Sequence, residues 1–293
     1  MVRGQWVSRR ATLTGAAAAA LLVPYPARPA HAKPEPIRFG LTPVFLTSDL
    51  ALLAGLQAYL EHATARPVRL VNRRTYQEIT ALLISRQLDA AWICGFPFVA
   101  YRGELSLVAV PIWRGETQYQ SYLIAHASQS GDSLSDLRGT VHAFSDPDSN
   151  SGYLVTRAAL LDLDASPSNF FRYSFFTYGH RNVIRAVASG LATSGSVDGY
   201  VYEVLRETEP DLARSTRVVN KSEWLGFPPV ACPAADASST LTTAIRSALL
   251  QMQSDTRGRA VLSLLRLDGF RVEEPELFDG IARRMRRVRG VPE

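Results

Sequence analysis

Thr140 to Phe144, then Ser145-Asp146-Pro147-Asp148-Ser149-Asn150-Ser151-Gly152, then Tyr153 to about Leu161, is the stretch on which the fold turns. Its apolar opening reads as a strand, Asp146-Pro147 turns the chain, and Ser149, Asn150 and Ser151 stand at the start of a helix. Orphan N–H groups and the positive end of the dipole make such a start a ready anion site. Ser, Asn and Asp are also favoured at any N-cap. Composition alone leaves both an anion site and an ordinary capping turn open.

Outward from this stretch the same alternation recurs. On its N-terminal side, Ile37 to Leu41 and Pro67 to Val71 read as strands. Asp49 to His62 reads as a helix with Leu50, Leu53, Leu56 and Leu60 on one face. A helix from Thr75 to Arg86 is led by Tyr76, and strands at Leu88 to Ile93 and Leu107 to Ile112 flank a short segment at Phe96 to Tyr101. Tyr119 to Ala125 reads as a crossover strand and Ser133 to Leu137 as a helical turn. Beyond the central stretch, Phe170 to Phe176, Ser196 to Tyr200, Thr216 to Val219 and Phe227 to Cys232 read as strands, His180 to Ser189 as a helix, and the remainder as helix.

Repeated β-α units predict an α/β fold whose sheets are mainly parallel and flanked by helices. The pattern restarts once, which divides the chain into a leader (1–32), a first lobe (33–117), a second lobe (118–224) and a return to the first lobe (225–293). Two lobes joined by more than one crossover can hinge about a ligand cleft.

The 293 residues are 46% hydrophobic and 20% charged, which excludes disordered and fibrous classes. In the leader, Ser8-Arg9-Arg10 precedes an apolar run from Ala16 to Val23 and a Pro-rich stretch ending Ala30-His31-Ala32. That is the pattern of an export signal cut after Ala32. The paired arginines resemble the twin-arginine export signal, with Thr12 where that signal usually has Phe; the general secretory route is the alternative. No Cys lies near the cut to carry a lipid anchor, so a free periplasmic protein is expected.

Arg3, Arg9, Arg10 and Arg28 carry most of the formal net charge of +5, which leaves the body close to neutral. A nucleic-acid partner is not expected, because phosphate-backbone binding needs a clustered basic surface. Arg283, Arg284, Arg286, Arg287 and Arg289 read as a solvated helix face. Cys94 and Cys232 are too few and too far apart for a zinc site, and they could pair or stay free. His62, His126, His142 and His180 lack metal spacing, and no phosphate loop or dinucleotide fingerprint is present, so neither metal nor cofactor is expected.

Several stretches, in order, resemble the phosphonate-binding proteins of ABC importers. They are Ile37-Arg38-Phe39-Gly40, Asp89-Ala90-Ala91-Trp92, Asp136-Leu137-Arg138-Gly139, Ser145 through Val155, and Gly179-His180. The resemblance spans nearly the whole chain after the leader. It implies a type II binding-protein fold holding a small oxyanion (phosphonate, phosphite or phosphate-like) between the lobes for an ABC permease; a monomer is expected. It also implies that Ser149, Asn150 (where the family commonly has Thr), Ser151 and His180 contact the anion from the second lobe and Tyr76 from the first. Family members that hold an ammonium group do so with carboxylates; here Tyr200 and Phe227-Pro228 stand at those positions, and Asp198 reaches the first only if the strand register shifts. A periplasmic sensor has the same requirements as an importer component. A hydrolase using Ser149 or Ser151 with His180 and Asp198 is disfavoured, because no Gly-x-Ser-x-Gly elbow is present.

Overall fold

The computed structural model describes residues 1, 2, 4, 35–43 and 50–290. All of the leader but residues 1, 2 and 4, its cleavage point included, therefore lies outside the described residues.

The first lobe runs β1 (Ile37–Leu41), α1 (Leu50–Thr64), β2 (Val68–Asn72), α2 (Tyr76–Ile84), β3 (Ala90–Trp92), α3 (Gly95–Ala100) and β4 (Leu105–Ile112). Crossover strand β5 (Gln118–Tyr119) leads to β6 (Ser121–His126) and β7 (Val141–Phe144). Then follow α4 (Val155–Leu161), α5 (Pro167–Phe170), β8 (Tyr173–Phe176), α6 (His180–Ala188), β9 (Ser194–Asp198), α7 (Gly199–Thr208), α8 (Pro210–Arg214) and β10 (Thr216–Lys221). The chain returns through β11 (Leu225–Gly226) and β12 (Val230–Pro233) to α9 (Thr240–Gln251), α10 (Thr256–Leu265), β13 (Gly269–Arg271) and α11 (Asp279–Arg289).

A six-stranded sheet has the order β13-β4-β12-β3-β1-β2 and a five-stranded sheet the order β10-β6-β9-β7-β8, while β5 and β11 pair as a separate two-stranded ribbon. Each large sheet keeps a parallel core, β2-β1-β3 in one and β8-β7-β9 in the other. The strand entered after each crossover runs antiparallel to that core, β12 between β3 and β4 and β6 between β9 and β10. The sheets are thus more mixed than uninterrupted β-α repetition predicts. A chain that leaves a lobe and comes back re-enters its sheet from the opposite end.

Four details differ from the sequence expectation. In α1 the buried stripe is Leu52, Leu56, Tyr59 and Leu60, and Leu50, in its first turn, is exposed. Phe170 ends a short helix in place of opening a strand. β13 lies in the stretch expected to be helical. Tyr200 sits in the first turn of α7 and not in a strand. Its neighbours Val201 and Tyr202 have strand-forming side chains, but the Asp198 carboxylate accepts from Tyr200 N and Val201 N and starts a helix there.

Cys94 and Cys232 are free and buried. Among the described residues no helix is long and apolar enough to cross a membrane. His142 is packed between Ser194 and Ser196, with its ring stacked on Phe171, and serves the second lobe's core.

The parallel cores set the site. Tyr76 follows β2, Cys94 follows β3, Ser149–Ser151 follow β7, His180 follows β8, and Asp198 ends β9. All stand beyond carboxyl ends of parallel strands, where open α/β sheets present their binding groups.

Candidate functional site

After β7 the chain enters the next helix through a π-helical turn, Asn150–Leu154. Leu154 N bonds to Ser149 O, five residues back, at 3.0 Å. The widened turn spreads the first N–H groups apart, a geometry frequent at functional sites. Ser149 caps the turn, its Oγ accepting from Gly152 N at 3.0 Å. Ser121 Oγ donates to Ser151 O at 2.6 Å and fixes the turn to β6. Gly152 is required by close approach: a Cβ there would stand 1.8 Å from Ser145 Oγ and 3.0 Å from His180 Cε1. Ser149, Asn150 and Ser151 are buried.

His180 opens α6, and its Nδ1 accepts from Asp198 N at 3.0 Å. Burial holds the imidazole far below its usual range, at about 3. A neutral ring that accepts at Nδ1 carries its proton on Nε2. Nε2 lies 3.2 Å from Tyr76 Oη, so the imidazole donates and the phenol's own hydrogen is left to turn elsewhere. Tyr76 leads α2 behind a capping box formed by Thr75 and Glu78, and its N–H donates to Asp146 Oδ2 at 3.2 Å. Burial pushes the Tyr76 phenol well up, which keeps it a donor.

Three bonds therefore join the lobes here: Tyr76 N to Asp146, Tyr76 Oη to His180, and Asn150 N to Cys94 Sγ at 3.3 Å. Burial pushes the Cys94 thiol up to about 12. Asn150 Nδ2 donates to Tyr119 Oη at 2.9 Å, and Tyr119 belongs to the crossover ribbon. Two polar atoms in this cluster are buried without a partner, Asn150 Oδ1 and Ser145 Oγ.

The expected residues Tyr76, Ser149, Asn150, Ser151 and His180 come together. Tyr200 stands apart in its bonding: its hydroxyl donates to Leu265 O at 2.6 Å, and its ring packs edge-on against Trp113 and Phe227. Phe227 N is bound to Thr117 O, and Pro228 O accepts from Trp92 Nε1. Asp198 takes the strand-end place expected two residues later, and burial pushes its carboxyl up to about 7. Sequence reasoning missed Tyr119, which looks like any core aromatic of a crossover strand, and Asp146, which reads as a turn residue. No spacing signal marks either.

The hydrolase arrangement has no geometric support. The Asp198 backbone, and not its carboxylate, contacts His180 Nδ1, and Nε2 already carries its proton. A general base would need that nitrogen free. Among the described residues no three His, Cys, Asp or Glu gather as a metal site.

Residues 39–277 match the family model described as ABC transporter, phosphonate, periplasmic substrate-binding protein. A curated relative, the phosphate-import protein PhnD of Mycolicibacterium smegmatis, is 28% identical over 55% of this chain and 54% of its own length. The chain thus spans about half the length of that relative. A binding-protein component of an ABC phosphonate transporter from Pseudomonas aeruginosa has a TM-score of 0.79 at 21% identity, covering 86% of each chain. PhnD1 from Prochlorococcus marinus, solved in complex with methylphosphonate, has a TM-score of 0.77 at 16% identity, covering 87% of this chain and 98% of that one. These structures share the fold. With the family match running from β1 to the segment before α11, this chain belongs to the periplasmic substrate-binding proteins of phosphonate ABC transporters.

Proposed function

We propose that this protein captures a small oxyanion of the phosphonate, phosphite or phosphate class between its lobes and delivers it to an ABC permease. The observation that carries the reading is the burial of uncharged donors from both lobes in one cluster: the Ser149–Ser151 turn and His180 on one side, Tyr76 on the other. A ligand contacting both sides has more donors when the lobes are together, so it shifts the population toward closure. Ser149, Asn150, Ser151, His180 and Tyr76 are the proposed contacts, and Tyr200 a wall residue.

On this reading the protein is a monomeric carrier, and with Nδ1 of His180 accepting from Asp198 N and Nε2 protonated, the Ser–His hydrolase alternative lacks its base. The carrier works outside the cytoplasm after export through the twin-arginine-like leader and cleavage after Ala32. Sequencing the mature N-terminus tests that route, and a start well before Lys33 would sink it.

The deciding experiment is a thermal-shift screen against phosphate, phosphite, methylphosphonate, aminoethylphosphonate, sulfate and nitrate. A ligand bound only by the native state raises the melting temperature. No shift with any phosphorus oxyanion would overturn the reading.

A further inference from the structure

We propose that the cleft binds its oxyanion in the singly protonated form, with the ligand's remaining hydroxyl donating to Asn150 Oδ1. The inference rests on the oxyanion reading and adds which charge state is selected.

Asn150 is fully buried between the capping Ser149 and Ser151, with its N–H spent on Cys94 Sγ and its Nδ2 on Tyr119 Oη. Its Oδ1 has no partner. A buried acceptor left unsatisfied is destabilising, and a ligand that supplies a hydrogen relieves it. A fully ionised oxyanion supplies none and would set oxygen against oxygen.

Charge points the same way. Among the described residues no lysine or arginine is buried, and the only carboxylates that are buried are Asp146 and Asp198. Both act on the cluster: Asp146 accepts from Tyr76 N, and Asp198, whose carboxylate caps α7, sits close enough for its charge to act on Tyr76, Cys94 and Tyr119. His180 is held neutral, and burial keeps Tyr76, Tyr119 and Cys94 protonated. The positive end of the Ser149–Ser151 turn is worth only about half a unit charge. A second negative charge on the ligand would meet no cation and two carboxyl groups.

Methylphosphonate and methanesulfonate separate the two ideas. Below the second ionisation of methylphosphonate both are tetrahedral monoanions of similar size, and they differ by one hydroxyl hydrogen. Calorimetry is expected to find methylphosphonate tighter by about a hundredfold or more, because a site built around a ligand hydroxyl rejects the analogue lacking it. In Asn150→Thr, whose hydroxyl can turn to donate, the gap should shrink to about tenfold or less. Tyr119→Phe, which frees the amide to rotate, should also narrow it. Above the second ionisation, methylphosphonate affinity should fall about tenfold per pH unit while methanesulfonate affinity does not follow.

Equal affinity for the two probes would overturn the inference, as would methylphosphonate binding that tightens as its second proton leaves. A pH-dependent loss shared equally by both probes would trace the effect to Asp198 and overturn it too. Failure of every oxyanion to bind at any pH, with circular dichroism intact, would instead sink the oxyanion reading beneath it.

Discussion

Two polar regions of this molecule solve opposite problems. The interlobe cluster around Tyr76 and His180 gathers hydroxyls, an amide and an imidazole, all buried, with no lysine or arginine buried among the described residues. A surface groove of about 850 Å³ between α4, the end of β10 and α11 holds Lys221, Arg283, Arg284 and Arg287. There Arg284 pairs with Glu223 and Arg287 with Asp162, and Lys221 stacks on Tyr122. Cations stay outside the cluster, whose only buried charged groups among the described residues are the Asp146 and Asp198 carboxyls, and neutral donors occupy the place where water is excluded. Buried neutral donors discriminate by geometry and by proton count, whereas exposed ion pairs contribute little to stability.

The largest effect that can break this comparison is removal of the Ser149 and Ser151 hydroxyls. Ser149→Ala combined with Ser151→Ala should weaken oxyanion binding by about 1.5–3 kcal/mol per lost donor, while loss of the Ser149 cap should lower fold stability by only about 1 kcal/mol. Calorimetry reads the first and chemical denaturation the second. Unchanged binding with reduced stability would return the turn to a purely structural role.

Next in size is the pH dependence of Asp198. Its folded value of about 7 lies above the ordinary carboxyl value of 3.8, so the folded state binds the proton more tightly than the unfolded chain. Stability from this group is full below the unfolded value and is lost as pH rises through about 7. Asp198→Asn keeps an N-cap for α7 and has no charge to bury. Its stability should therefore decline less than that of the wild type from acid to neutral pH, by up to a few kcal/mol. Parallel stability–pH curves would mean that the carboxylate is better solvated than its surroundings suggest.

How far these regions were legible in sequence follows from what sets each. The strand-turn-helix from Thr140 to Leu161 is local: Pro147 turns the chain, Ser149 caps, and the apolar period does the rest. The capping box at Thr75 likewise puts Tyr76 at a helix start from nearby residues alone. Tyr119 and Asp146 reach the cluster only through long-range docking across the lobes, which no local period encodes. Tyr200 misled because its strand-forming neighbours outweigh one Asp in any window count, although that Asp decides the element. The antiparallel return strands were hidden for a related reason, since direction depends on the crossover and not on the composition of the strand.

A smaller difference sharpens the picture of the cleft's far wall. Tyr200 donates to Leu265 O and Phe227 carries no charge, so an aminoalkyl tail meets no dedicated acid there. Asp198 Oδ1 is committed to two N–H groups of α7. Aminoethylphosphonate should accordingly bind about tenfold or more weakly than methylphosphonate in competition calorimetry, because a buried ammonium lacks a full counter-charge. An equal or tighter constant would show the remaining Asp198 oxygen serving the ligand.

The smallest effect is expected where the charge is greatest. Arg287 and Asp162 are 49% and 62% exposed, so their attraction is screened and the pair should add little to folding. Arg287→Ala should move the melting temperature by no more than about 2 °C and leave oxyanion affinity unchanged. The outcome is informative because α11 packs against both α3 and α4, one from each lobe. If the exposed pair merely decorates α11, added salt will mimic the mutation and neither will touch binding. If Arg287→Ala instead shifts affinity about tenfold, α11 helps set the balance between open and closed lobes, and the separation of charged groove from neutral cleft fails.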